Sequence, residues 1–458
     1  MIHLKYRAEL DPDFQPMEMV MRDYEARVRR ESSQRLSVAL VRNKNYCERF
    51  EMDILADGVD DDLTCAVMER FIKTLLWVYG GWKIVVCGSA AVYRYLHAAY
   101  QKGGLREFDV WFMSRVYERP FEVVWAESPS DVPETNHSAS AVGRHLRGCR
   151  IGFDAGGSDR KVSAVIDGEC IYSEEVVWHP KTQSDPEYHR QGIREAFQTA
   201  ASKLPRVDGI GVSTAGVLID NRVMVASLFV KVGDEDFERK VKNIYLDIAK
   251  ELGEGIPIEV ANDGDVTALA GAMNLGDNAV LGIAMGTSEA GGYVDAAGNI
   301  TGWLNELAFV PVDFNRDAMV DEWSGDYGCG VKYFSQDSVN KLAPAAGIEV
   351  RADMTPAEKL TVVQKLMAEG DPRARKVYES IGVYFGYALA YYARFYDVRH
   401  VLIMGRVTSG EGGVILLERA REVLSGEFPE LAGRIELNIP DESSRRVGQS
   451  IAAASLPE

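Results

Sequence analysis

The stretch Met285-Gly286-Thr287-Ser288-Glu289-Ala290-Gly291-Gly292 follows an apolar run, and its glycines predict a tight turn between two β-strands. A stretch of the same character, Gly152-Phe153-Asp154-Ala155-Gly156-Gly157-Ser158, lies at the end of an earlier apolar run. Around the earlier stretch the sequence predicts a strand, a hairpin, a strand, a helix and a strand. A second segment that starts with the same order of elements begins at Val280. The duplication predicts two similar lobes that face a cleft.

This order of elements is typical of the start of a ribonuclease-H-like lobe. Because it occurs twice, we expect an α/β fold with two such lobes. The two glycine turns are candidate phosphate sites, because glycine lets backbone N–H groups approach a phosphate closely. The sequence contains no GxxxxGK[ST] stretch and no GxGxxG after a strand, so it gives no support for a P-loop or a Rossmann nucleotide site. The candidate nucleotide-binding residues of the two turns are Asp154, Gly156, Gly157, Ser158, Gly286, Thr287 and Ser288.

Asn262 and Asp263 stand between an apolar strand and the start of a helix, in the sequence between the two turns. A carboxylate at the edge of the cleft could accept the proton of an attacking hydroxyl group while phosphate leaves ATP, so Asp263 is the candidate general base. The alternative is that Asp263 caps the helix that follows. Further on, Gly405 ends a strand and could let an adenine ring lie flat on the backbone.

Composition excludes several classes of protein. A formal charge of -18 disfavours binding to nucleic acids and to acidic membranes. The six cysteines are scattered without a CxxC pair, which favours reduced thiols in the cytoplasm. No signal peptide or membrane-spanning segment is evident, so we expect a cytoplasmic protein.

The chain predicts three parts. Residues 1–145 form an N-terminal α/β extension, helical from Met17 to about Tyr79, with strands at Lys83–Val86, Phe108–Met113 and Phe121–Trp125. Residues 146–270, with the C-terminal helix 444–458, form lobe one, and residues 271–443 form lobe two.

From about Arg150 to Leu456 the chain resembles the ROK family (repressor, open reading frame, kinase) of the hexokinase, actin and Hsp70 superfamily. The resemblance is carried in order by Gly152–Ser158, Ile210–Leu228, Asn262-Asp263, Gly286–Gly292, Met404–Val407 and Arg445–Leu456. It implies an actin-like ATPase fold that phosphorylates a sugar or sugar-like molecule, with ATP and Mg²⁺ as cofactors. Asp154 would then hold Mg²⁺ through water. A homodimer is left open.

The resemblance also implies contacts to the substrate, and here the sequence departs from the family. Glu306 keeps one sugar-binding glutamate, whereas Gln336 replaces the other; Asn262 and Ser227 complete the candidate set. Phe309 replaces the histidine that touches sugar and zinc.

Of the three zinc cysteines only Cys329 remains, so we expect no zinc site. Glu289 places an unfavourable charge in the second phosphate turn unless it points away or faces the metal. These departures leave open an alternative function, a sugar- or nucleotide-binding regulatory protein without catalysis. The family's repressors carry a winged helix-turn-helix, and we find no convincing one in the extension.

Overall fold

The computed structural model describes residues 3–137, 142–440 and 442–458, with the side chains of 442–447 outside the description. The chain divides into two compact units. Unit 1 comprises Met1–Ser138, Ile283–Gly291 and Gly302–Ile439. Unit 2 comprises Ala139–Gly282, Gly292–Thr301 and Pro440–Glu458. Each unit is therefore built from segments that are far apart in the sequence.

The strands of the described residues are β1 (Ser33–Val41), β2 (Cys47–Leu55), β3 (Lys83–Cys87), β4 (Glu122–Trp125), β5 (Cys149–Ala155), β6 (Asp159–Ile166), β7 (Glu169–Val177), β8 (Gly209–Thr214), β9 (Val217–Ile219), β10 (Arg222–Val225), β11 (Ile258–Asn262), β12 (Val280–Met285), β13 (Glu289–Val294), β14 (His400–Met404) and β15 (Glu436–Asn438). The helices are α1 (Met17–Val28), α2 (Asp61–Tyr79), α3 (Ala90–Ala99), α4 (Glu107–Tyr117), α5 (Pro186–Ala201), α6 (Asp234–Asp236), α7 (Ile244–Leu252), α8 (Asp263–Leu275), α9 (Gln336–Ala345), α10 (Pro356–Ala368), α11 (Pro372–Tyr392), α12 (Glu411–Glu427), α13 (Pro429–Ala432) and α14 (Glu442–Ala454). None of those in the described ranges is long and apolar enough to cross a membrane.

A five-stranded sheet in the order β11-β8-β5-β6-β7 forms the centre of unit 2. β8 pairs in parallel with β5 and β11, whereas β5, β6 and β7 pair antiparallel through the two hairpins that the sequence predicts. Helix α14 packs against β5 and β8 so closely that a side chain would not fit between them. A Cβ on Gly152 would lie 2.0 Å from the Ser450 carbonyl oxygen, and one on Gly211 would lie 1.6 Å from that of Ala453. These two glycines allow the helix to lie directly on the sheet.

Two further four-stranded sheets have the orders β2-β1-β3-β4 and β13-β12-β14-β15. The predicted strands at Lys83–Val86 and Phe121–Trp125 are confirmed as β3 and β4. The predicted strand at Phe108–Met113 is wrong, because these residues lie in α4, whose buried positions Asp109, Phe112, Met113 and Val116 follow helical spacing.

The expectation of a mainly helical segment from Met17 to Tyr79 is also wrong between α1 and α2. The antiparallel hairpin of β1 and β2 occupies that region, with all nine residues of β1 paired to β2. β1 also pairs with β3, so the hairpin completes the N-terminal sheet.

Residues 1–138 belong to the same compact unit as 302–439, although the sequence suggested an extension apart from the lobes. The link is a buried ion cluster around Asp326. Its carboxylate lies 2.7 Å from Arg70 Nη1, 2.8 Å from Arg106 Nη1 and 3.2 Å from Lys73 Nζ. Whether the extension can fold by itself stays a prediction.

Two further carboxylates balance the charge of this Asp326 cluster. Arg106 donates to Glu69 Oε2 at 2.9 Å, and Lys73 donates to Asp109 Oδ1 at 3.1 Å. Burial alone would raise the pKa of the Asp326 carboxyl, but the three cations together hold this pKa far below its usual value. The carboxylate is therefore ionised, and it is matched by cations that α2 and the chain before α4 supply.

We predict that Asp326→Asn destabilises the protein by about 3–5 kcal/mol, because it leaves buried cations without their shared carboxylate. Urea unfolding followed by circular dichroism measures this difference. Asp353→Asn is the matched control, since Asp353 pairs with Arg351 at the surface, where their side chains are 73% and 72% exposed, respectively. Equal midpoints for the two variants would contradict a supporting role for the Asp326 cluster.

Candidate functional site

Asp154 lies near the end of β5 and is only 8% exposed. Its Oδ1 accepts hydrogen bonds from Ser213 Oγ of β8 at 2.7 Å and from Gln449 Nε2 of α14 at 3.2 Å. Burial raises the pKa of Asp154 to about 6 against the lowering effect of the Ser213 bond, and the Asp263 carboxylate adds repulsion. Two carboxylates that repel each other in a protected place favour a cation beside them.

Asn262, and not Asp263, is the principal cap of helix α8. Asn262 Oδ1 accepts from Gly264 N at 2.7 Å, and its Nδ2 donates to the Gly216 carbonyl oxygen at 2.8 Å. Asp263 stands at the first position of the helix, where its Oδ1 accepts a longer bond of 3.1 Å from the same Gly264 N–H. The alternative prediction, that Asp263 serves as the cap, is therefore weakened.

The Asp263 carboxylate is partly buried and has no ion pair within 4.0 Å among the described residues. Burial raises its pKa, while the N–H groups of Gly264 and of Asp263 itself and the charge of Lys181 oppose this rise. A carboxylate with a raised pKa has the properties of a general base.

Asp265, two residues further on, has a structural task. It is 5% exposed, and its Oδ1 accepts from Tyr293 N of β13 at 3.0 Å. A Cβ on Gly292 would lie 2.1 Å from the Gly264 carbonyl, so the first turn of α8 lies directly on β13. These contacts within unit 2 fix the position from which Asp263 projects.

Two hydrogen bonds from Trp178 hold the backbone of the first glycine turn. The Trp178 indole Nε1 donates to the Gly156 carbonyl oxygen at 2.7 Å, and its backbone N donates to the Ser158 carbonyl oxygen at 3.1 Å. Both carbonyls are thus occupied, and Gly157 and Ser158 are exposed. Lys181, which the sequence analysis did not single out, lies against Gly157.

The second glycine turn lies in unit 1 beside the predicted adenosine glycine. Gly286 N donates to the Ser288 carbonyl oxygen at 3.0 Å, which closes the turn and leaves Thr287 and Ser288 exposed. Gly405 has a φ of 102°, and a Cβ there would lie 2.4 Å from the Met285 carbonyl oxygen. Only glycine meets both requirements, so the ends of β12 and β14 meet at this point.

Gln336, the first residue of α9, connects this turn to a small cavity. Its backbone N donates to the Gly286 carbonyl oxygen at 2.9 Å. Its side chain is buried, and its Nε2 has no hydrogen-bond partner among the residues that the structure describes. It lines the cavity together with Gln364, Arg406 and Ser409. The cavity measures about 220 Å³, less than the roughly 300–1,000 Å³ of sites for drug-sized ligands, so it would suit a single ring system.

Glu289 points into the interior of unit 1 and away from solvent, with 3% exposure. Tyr392 donates to its Oε1 at 3.5 Å, and its Oε2 has no hydrogen-bond partner among the described residues. Burial, with some repulsion from Glu306, raises the pKa of Glu289 well above its usual value. Burial therefore favours the uncharged form of this side chain, which lessens the unfavourable charge that the sequence suggested for this turn.

Glu306 and Ser227 are the other two residues that the sequence predicts to contact the substrate. Glu306 is partly buried, and its backbone N donates to the Trp77 carbonyl oxygen of α2 at 3.0 Å. Ser227 is exposed at the start of a 3₁₀ turn in unit 2. Their contact with a substrate stays a prediction.

The positions that correspond to the family's zinc ligands have other contacts. Phe309 packs on Trp77 with ring centroids 4.3 Å apart, and Tyr327 carries the Arg70 guanidinium 4.1 Å from its ring centroid. Cys329 Sγ donates to Asp326 Oδ2 at 3.4 Å, and Phe334 packs edge-on against Phe385. The region is filled by aromatic rings and by the Asp326 cluster.

No family model and no curated protein matches the sequence. The ROK hexokinase from Thermus thermophilus, however, superposes with a TM-score of 0.52 at 21% identity, over 67% of this chain and 96% of the hexokinase. This chain folds like a ROK hexokinase. The predicted α/β fold of the actin-like ATPase type is confirmed by this similarity. A third of the chain has no counterpart in the hexokinase.

Two further ROK proteins show a similar match. A ROK family glucokinase from Streptomyces griseus, solved with glucose and AMPPNP, has a TM-score of 0.49 at 20% identity, over 67% of this chain and 98% of its own. A ROK family transcriptional regulator has a TM-score of 0.49 at 19% identity, over 68% and 79%. The assignment of the fold rests on the hexokinase.

We predict that Asp154→Asn stabilises the protein at pH 7.5 but not at pH 4. Because the folded state raises the pKa of Asp154 to about 6 from 3.8, the folded protein binds this proton more tightly, and stability falls as the pH rises through that window. The variant should gain roughly 1–3 kcal/mol at pH 7.5. Thermal unfolding at the two pH values tests this, with the more exposed Asp236→Asn as control. An equal shift at both pH values would contradict the prediction.

We also predict that the protein purified without added metal contains no zinc, because Phe309, Tyr327 and Phe334 supply no zinc ligand. Elemental analysis by plasma mass spectrometry measures this. Zinc in amounts equal to the protein would overturn the prediction.

Proposed function

We propose that the protein transfers the terminal phosphoryl group of ATP to a hydroxyl group of a sugar or a sugar-like small molecule. The observation that best supports this is the state of Asp263. Asn262 is the principal cap of α8, so the Asp263 carboxylate is not required for capping. A carboxylate with a raised pKa at this position suits a general base in phosphoryl transfer.

In the proposed reaction Asp263 accepts the proton of the acceptor hydroxyl. The acceptor oxygen then forms a bond to the γ-phosphorus of ATP, the bond from that phosphorus to the β–γ bridging oxygen breaks, and ADP leaves with the electron pair. The protein's part is positioning and electrostatic stabilisation, because such transfers proceed through a loose transition state. Asp265 holds the Asp263 helix turn in place and takes no proton.

Each of the two glycine turns is a candidate contact for the phosphates of the nucleotide. Gly156, Gly157 and Ser158 would offer backbone N–H groups and a hydroxyl group to phosphate oxygens, and Gly286, Thr287 and Ser288 would do the same at their own turn. Beside the second turn, Gly405 would let the adenine ring lie flat on the backbone.

Magnesium fits Asp154. Mg²⁺ in nucleotide sites commonly binds one or two carboxylates together with phosphate oxygens and water. The carboxylate of Asp154 is ionised at pH 7, and its repulsion by Asp263 would be relieved by a cation beside it. A bound Mg²⁺ would neutralise charge on the phosphates, with Asp154 holding it through water.

The acceptor would be recognised by Glu306 and Gln336, with Asn262 and Ser227 as further candidates. The unpartnered Nε2 of Gln336 is a hydrogen-bond donor in need of an oxygen such as a hydroxyl. Both ends of the Asn262 amide already form bonds within the protein, so its share in acceptor binding is limited to its remaining lone pair and hydrogen atom.

That engagement of Asn262, together with the replacement of the family's histidine by Phe309, favours one second candidate, a binding protein without turnover. Either protein would act in the cytoplasm, where six free cysteines persist as thiols.

We predict that Asp263→Asn retains ATP affinity and lowers kcat by roughly 10²–10⁴-fold, because it removes the proton acceptor without removing the cap. ADP release is measured in a coupled assay with a panel of sugars, amino sugars and sugar acids. Asp265→Asn is the matched control; its Oδ1 can still accept from Tyr293 N, so α8 should keep its place and turnover should stay close to normal. A large loss of kcat at Asp265 with none at Asp263 would show that the base is misassigned. No turnover with any acceptor, together with a ligand-induced rise in melting temperature, would favour the binding protein.

A further inference from the structure

Lys181 lies directly on the first glycine turn. A Cβ built on Gly157 would be 3.0 Å from Lys181 Cε and 3.2 Å from Nζ, so the ammonium group rests on the turn's backbone. The same charge acts on the Asp263 carboxylate, where it opposes the rise of the pKa. One cation thus lies on the predicted phosphate turn and acts electrostatically on the predicted base, and all of these residues belong to unit 2.

The segment that carries Lys181 is anchored on both sides. Before it, Trp178 is 3% exposed and bonds to both carbonyls of the glycine turn. Lys181 itself lies in a 3₁₀ turn, Pro180–Thr182, whose Pro180 carbonyl oxygen accepts from Nε2 of His189 at 3.1 Å. His189 is fully buried. Because the backbone segment that carries Lys181 is fixed in this way, the fold holds the lysine over the glycine turn.

Lys181 has no acidic partner within the described part of the chain. Lys161, at the other side of the same turn, has its ammonium group 3.4 Å from Asp159. Lys181 is exposed, and no hydrogen bond or ion pair of its ammonium group is found among the described residues. A compact positive charge of this kind, next to free backbone N–H groups, is suited to a phosphate oxygen.

We propose that Lys181 binds the terminal phosphate of ATP together with the turn of Gly156 and Gly157, and stabilises that group as it passes to the acceptor. This inference rests on the proposed function and adds to it a phosphate-binding residue. Lys181 neither gains nor loses a proton and forms no covalent bond in the reaction. Its contact with the glycine turn and its electrostatic effect on Asp263 favour the γ-phosphate, since the acceptor hydroxyl that Asp263 would deprotonate attacks that phosphorus.

Titration calorimetry with ATP and with ADP tests the proposal on the full chain. Lys181→Met should weaken ATP binding roughly 10- to 100-fold, which is the loss expected for one charge-assisted contact, and should leave ADP binding largely unchanged. Lys181→Arg should restore most of the ATP affinity, because the charge returns. Lys240→Met, at an exposed lysine paired with Asp236, is the control and should bind both nucleotides like the unaltered protein.

The outcomes separate this inference from the proposed function. If Lys181→Met binds ATP as well as the unaltered protein does, the inference is overturned, even if the protein proves to be an active kinase. If Lys181→Met loses ATP selectively while no acceptor supports turnover, Lys181 is confirmed as a phosphate ligand and the kinase proposal fails. Equal losses for ATP and ADP would assign Lys181 to another phosphate and overturn the γ-phosphate contact. Absence of ATP binding by the unaltered protein would overturn both proposals.

Discussion

The carboxylate of Asp326 is the point on which unit 1 depends. Arg70, Lys73 and Arg106 converge on it from the N-terminal residues, and each of these charges would be costly to bury alone. The chain that follows Asp326 carries Cys329 and Gly330, and then Gln336. A Cβ on Gly330 would lie 2.2 Å from Glu289 Oε2, so the second phosphate turn packs against this same segment. The N-terminal residues therefore support the region that the family resemblance assigns to zinc.

In unit 2 the positions of the functional side chains depend on close backbone contacts. Gly292 lets α8 rest on β13, and Gly152 and Gly211 let α14 rest on the central sheet. Because backbones lie in contact, these elements have little freedom to shift, and a small error in one would move the carboxylate of Asp154 or Asp263. Such rigidity is what a site that acts by positioning requires.

The parts of the site that are local in sequence could be predicted. The two glycine turns and the Asn262-Asp263 pair carry their own signals, since each follows an apolar strand. Which of Asn262 and Asp263 caps α8 could not be predicted from the sequence, because either residue type can cap a helix and only the hydrogen bonds distinguish them.

Other features could not be predicted because they depend on distant residues or on ambiguous patterns. Ser213 and Gln449 meet at Asp154, although Gln449 is 295 positions away from it, and Lys181 reaches the first turn from a separate loop. The short apolar run Phe108–Met113 fits a strand as well as a helix, and the burial of Asp109 beside Lys73 decided for the helix. The predicted order of elements is seen in full from β5 to β8, whereas from Val280 onward only the hairpin of β12 and β13 follows it, and the predicted third short strand is not formed in that described stretch.

The contact of α14 with β5 and β8 has a consequence for the order in which the protein can form during synthesis. The strands of the unit 2 sheet leave the ribosome early, whereas α14 comes after nearly all of unit 1 has been made. Until then the backbone at Gly152 and Gly211 lacks the helix that packs on it. The part of unit 2 that carries Asp154 is therefore completed late, and the newly made chain must keep that part of the sheet from aggregating while unit 1 is translated.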